Sequence, residues 1–226
     1  MNMEPSKENI DSSLPKITFR VSNADRDIGH KEELEIYIKG FEPEWRKKED
    51  KVMRTFEGVT HGKWQSGNVE NGIVVAMSAV LRPSARPDLI ILIQKDYSDW
   101  AVKNNKRGNT LDATRQSSIL IHELGHKFSE KSNDIDYVKS RYKDRVDPNN
   151  LKDDKRSLEM TVESSYMHIH TELLWKAVML EVFPKEFVEK EEERQRDIGP
   201  IYREAYRIID QLSDEEKRKI VDRRLR

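Results

Sequence analysis

Two short apolar runs constrain this chain most. Ile73 to Leu81 and Asp88 to Gln94 have strand length and β-rich composition, and the segment Arg82-Pro83-Ser84-Ala85-Arg86-Pro87 separates them. They read as neighbours in one sheet. Lys16 to Val21 alternates apolar and polar side chains and adds a half-buried strand. Most of the remaining chain has helical spacing. Lys31 to Glu57 reads as two helices or one kinked helix, because Pro43 interrupts it. A helix is expected from about Asp112 to Glu130, and a long one from about Asp154 or Ser157 to Val182, ended by Pro184. The predicted fold class is therefore α+β, with a small mixed sheet, a motif-bearing helix, a later Glu-bearing helix and charged C-terminal helices.

Charged residues make up 37 % of the chain against 35 % hydrophobic, which fits a small core under long charged helices. Residues 1–15 read as a flexible polar tail, 16–184 as one domain, and 185–226 as a charged helical extension packed on it. That extension breaks at Gly199-Pro200, carries a capping-box pattern at Ser213 and Glu216, and has an apolar stripe of Tyr202, Tyr206, Ile209 and Leu212. Lys and Arg (41) nearly cancel Asp and Glu (42), so no global basic field draws the chain to nucleic acid or an anionic membrane. No apolar run approaches a bilayer span. The polar N-terminus lacks the look of a secretory signal, which favours a cytoplasmic location slightly.

Chemistry concentrates at His122-Glu123-Leu124-Gly125-His126. Two imidazoles four residues apart share one helix face and can reach a single zinc ion. With no cysteine in the chain, the ligands must be histidine or carboxylate. Glu123 is placed beside the metal rather than at it, where it can take a proton from a water and pass it to a leaving amine, the division of labour of peptide hydrolysis. Gly125 lets a neighbouring helix or a substrate strand come close.

A third ligand must come from elsewhere, because Ser129 and Ser132 stand where a three-histidine motif would carry glycine and histidine. Glu159 and Glu163, one turn apart on the long helix, supply a ligand and an acceptor for a ligand histidine's far N–H. Glu159 as ligand is one arrangement, and the exchange of the two roles is the other. Glu172 is a weaker candidate. His168 and His170 read as core or surface histidines, with His170 or Tyr166 as candidate donors to a developing oxyanion. Trp64, Trp100 and Tyr97 read as core or loop anchors.

These residues resemble the zincin metallopeptidases, in the gluzincin branch where a His-Glu-x-x-His helix is followed by a helix bearing Glu. The resemblance covers about 112–182. It implies one zinc ion on His122, His126 and Glu159, a general base at Glu123, an acidic partner at Glu163, and a protein or peptide substrate. It also implies that an edge strand lines the cleft, so that Ile73 to Leu81 or Asp88 to Gln94 would pair with substrate, unless both runs are interior strands. The alternative expectation is a zincin-like module that binds a partner or regulates, with restricted or no catalysis.

Overall fold

The computed structural model describes residues 14–64, 72–79, 81, 83–85, 89–95, 110–129, 133–154 and 156–226. The expected tail falls almost wholly outside them, as do Tyr97 and Trp100. The fold is α+β, with seven α-helices among the described residues and one mixed four-stranded sheet.

The sheet has the order β1-β2-β4-β3, where β1 is Ile17–Val21, β2 Ile73–Ser78, β3 Ser84–Ala85 and β4 Leu89–Ile93. Strands β1, β2 and β4 run parallel. The parallel pair β1–β2 requires a crossover, and helix α1 (Lys31–Thr60) provides it. Pro43 lies inside α1, which is one helix. Both apolar runs therefore occupy the interior of the sheet. The edge beside β4 is instead the two-residue, antiparallel β3, taken from the proline-bracketed connection. This corrects the expectation that either long run lines a cleft: their continuous apolar faces are covered by helix and neighbouring strand, and the short polar segment is left at the rim.

Helix α2 (Ala113–Ser129) carries the motif and α3 (Asp134–Tyr142) follows it. Helix α4 (Leu158–Val182) starts where Ser157 accepts a hydrogen bond from the Met160 N–H and is the centre of the helical layer. It packs against α1, α2, α3 and the three C-terminal helices α5 (Lys185–Arg196), α6 (Pro200–Gln211) and α7 (Asp214–Val221). Being surrounded, α4 is apolar on nearly every side, with Ile169, Leu174, Trp175, Val178 and Met179 fully buried. One continuous core joins the sheet, α1, α2 and α4 to Ile201, Ala205 and Ile208 of α6. Both halves of the capping box at Ser213 and Glu216 are formed.

Helix α6 is fixed at its middle by a buried carboxylate. Glu204 accepts hydrogen bonds from the Asp147 N–H (2.6 Å), the Asn150 amide (2.7 Å) and the Arg207 guanidinium (2.7 and 2.8 Å). Burial pushes its pKa up, but the hydrogen bonds from Arg207, Asp147 and Asn150 outweigh burial and leave it below the usual carboxylate value. A depressed folded-state pKa contributes stability that is present above the unfolded value near 4.5 and lost as pH falls through the folded one. Glu204→Gln is expected to destabilise the protein by about 1–3 kcal/mol at neutral pH. In urea titrations between neutral pH and about pH 3, it should also flatten part of the parent's acid loss. An unchanged midpoint at neutral pH would show that the clamp does not hold α6.

Candidate metal centre

The motif helix is initiated by Asp112, whose carboxylate accepts the Arg115 N–H at 2.8 Å. His122 and His126 then fall one turn apart on the face that meets α4, with their Nε2 atoms 3.0 Å from each other. From α4, His168 completes a group of three imidazoles, one nitrogen of each lying within 4.8 Å of the others. Tetrahedral zinc with Zn–N bonds near 2.1 Å separates its ligand nitrogens by about 3.4 Å, so the group is close to that size.

The far side of each ring has a partner. His168 Nδ1 donates to the Ser164 carbonyl one turn back, at 2.7 Å. His126 Nδ1 stands 3.1 Å from the Thr171 hydroxyl. His122 Nδ1 is 3.2 Å from Glu172 Oε1, at ion-pair distance although off the line of an ideal hydrogen bond. The Ser164 carbonyl takes the Nδ1 proton of His168 and leaves its Nε2 as the free nitrogen, and His122 and His126 bring their Nε2 atoms to the same group. Three imidazole nitrogens gathered at this spacing in a buried site are a donor set of the kind that fits a zinc ion. Burial holds His126 well below its ordinary pKa and lowers His168 to about 4, with neighbouring imidazoles adding to both. Burial acts the same way on His122, but the charge of Glu172 reverses it and raises that pKa.

Glu172 is itself buried, and its second oxygen accepts a hydrogen bond from Tyr206 of α6 at 2.7 Å. Glu123 is 5 % exposed, and burial pushes its carboxyl up to about 7 against the opposing effects of His122 and a hydrogen bond from the Ala85 backbone. That bond ties Glu123 to edge strand β3. From α6, the Tyr202 ring packs on His168 (centroids 4.5 Å apart) and on His122 (5.9 Å), and its hydroxyl lies 3.4 Å from His122 Nε2. Burial and the charges of Glu172 and Glu123 raise the Tyr202 pKa well above the ordinary phenol value.

Several expected site residues lie elsewhere. Glu159 is exposed in the first turn of α4, nine residues before His168, hence roughly 13 Å away along the axis and on the opposite face. Glu163 is exposed as well and pairs with Lys139 at 2.7 Å. Glu159 and Glu163 therefore lie outside the imidazole group, while His168 and Glu172, with the same four-residue relation on the opposite face of the helix, stand beside His122. Tyr166 donates to the Lys143 carbonyl at 2.8 Å. His170 is two residues past His168 and so points away from the centre, with Ser129 Oγ 3.0 Å from its Nδ1 and Asp134 3.6 Å from its Nε2. Neither is placed to meet an oxyanion beside His122. Trp64 stacks edge-on against Phe56 and Phe128, as a packing anchor.

Comparison with protein-family models, with curated proteins and with solved structures finds no match for this chain.

Close contact between α2 and α4 underlies the whole arrangement. A Cβ on Gly125 would lie 3.3 Å from the Thr171 methyl and 3.9 Å from the Phe56 ring. Gly125→Ala should stay within about 1 kcal/mol of the parent, because the helix-propensity gain offsets the crowding. Gly125→Val should lose about 1–3 kcal/mol in chemical denaturation through overpacking. Parental stability in the valine variant would show that the helices can separate at no cost.

Proposed function

We propose that this chain is a zincin-type zinc metallopeptidase that holds one zinc ion on His122, His126 and His168 and hydrolyses peptide bonds with Glu123 as general base. The observation that carries the reading is the convergence of three imidazoles, each oriented from behind, with a buried carboxyl directly beside them. Zinc, when bound by three protein nitrogens, brings the pKa of its water toward neutrality and polarises a carbonyl.

The chain's own residues account for the rest. Glu172, Thr171 and the Ser164 carbonyl lie behind the three rings and orient them. Glu123, buried next to the imidazoles, is placed to accept a proton from the attacking water and to return it to the departing amine. Among the described residues strand β3 has β4 on one side and ends the sheet on the other, so an extended peptide can approach this edge beside the carboxylate. A three-histidine set departs from the gluzincin pattern in the identity of its third ligand, while Glu172 keeps the acidic position four residues further on.

Elemental analysis of protein purified without chelator or histidine tag should find about one zinc per chain, retained in Glu159→Ala and Glu163→Ala and lost in His168→Ala. Glu172→Gln is expected to weaken zinc about 10–100-fold in a competition titration. Glu123→Gln should keep its zinc and lose peptidase activity on casein or a peptide library by about 10²–10⁴-fold. No zinc in the parent after add-back, or zinc lost with Glu159 rather than His168, would sink this assignment.

A further inference from the structure

We propose that Tyr202 is the fourth arm of the metal centre, so that helix α6 holds the centre closed and must yield before a substrate reaches it. This inference rests on the reading of His122, His126 and His168 as the zinc ligands.

Three observations support it. The Tyr202 oxygen lies 3.4 Å from His122 Nε2, the metal-facing nitrogen, and two ligands of one tetrahedral ion are separated by about that distance. The ring is wedged against two of the three imidazoles, so its hydroxyl is directed by packing rather than free to rotate into solvent. The backbone that carries it is secured on both sides: Ile201 and Ala205 are buried in the common core, Glu204 is clamped to residues 147–150, and Tyr206, one turn on, reaches Glu172. Three imidazoles leave one tetrahedral position open, and the side chain next to that space comes from this chain itself. Water and a peptide carbonyl need the same position. Displacement of Tyr202, by substrate or by movement of α6, is then the step that exposes the ion.

The test uses the full chain loaded with Cu(II) and, separately, Co(II). Ligation by Tyr202 gives the Cu(II) protein a phenolate-to-copper charge-transfer band, and resonance Raman excitation in that band shows tyrosinate ring modes without recourse to any variant. Tyr202→Phe removes one oxygen and keeps the ring, and circular dichroism checks its fold. The expected result is loss of the band, a changed Co(II) visible spectrum, and Co(II) affinity lower by about tenfold or more, with one ion still bound. Peptidase activity of the zinc form should rise. Metal bound to parent and variant with identical spectra and affinity would overturn the role of Tyr202 while leaving the three-histidine site intact. Lower activity with unchanged spectra would overturn it in favour of a hydrogen-bond donor. Failure of the parent to bind either ion would overturn this inference together with the zinc reading.

Discussion

One buried carboxylate holds the functional region together. Glu172 projects from the most enclosed helix of the fold, and its two oxygens reach different elements: His122 on the motif helix and Tyr206 on α6. Burying a carboxylate this deeply costs several kcal/mol without partners, so α2, α4 and α6 are restricted to positions that keep the His122 ion-pair contact and the Tyr206 hydrogen bond. The packing of Gly125 on Thr171 sets how near two of those helices come, and the Glu204 clamp sets where the third lies. Orientation of His122 follows from these contacts together.

Seen from the centre, each of the three helices contributes a pair one turn apart. These are His122 with His126, His168 with Glu172, and Tyr202 with Tyr206. The i, i+4 relation puts two side chains of one helix on a single face, so three rigid rods suffice to bring six groups together with no loop residue among them. Sites built on helices hold their geometry more tightly than sites built on loops, because the backbone torsions are already fixed by the helix hydrogen bonds. Among the described residues the β-sheet contributes the Ala85 contact to Glu123, from its shortest strand.

How much of this could be read from the sequence depended on range. The motif helix, its two inward histidines, the adjacent Glu123 and the strands β1, β2 and β4 rest on local patterns, and all of these elements are found where the patterns place them. The helical Asp134–Tyr142 segment had no strong signal because it is short and polar. His168 failed to stand out for a physical reason: α4 is enclosed over most of its length, so its apolar residues mark no single face, and periodicity cannot say which side meets α2. Glu159 and Glu163 satisfied a spacing rule, yet they lie beside exposed Leu158 and Met160, on the outer surface. The same spacing recurs at His168 and Glu172, and that repetition was the legible clue. Tyr202 was readable only as part of an apolar stripe, because its second role depends on a partner 80 residues away in sequence.

The C-terminal segment also reaches back into this region by a route of its own. Arg223 and Arg226 both pair with buried Asp134, which sits beside His170 on α4 and just beyond the end of the motif helix. A chain made from its N-terminus presents His122, His126 and His168 well before Tyr202, Glu204 or these arginines exist. On the ribosome, then, the three imidazoles are made before the C-terminal groups that pack against them. On the reading proposed above, the nascent chain passes through an interval in which the three histidines are present without Tyr202, and an ion taken up then need not wait for α6 to move.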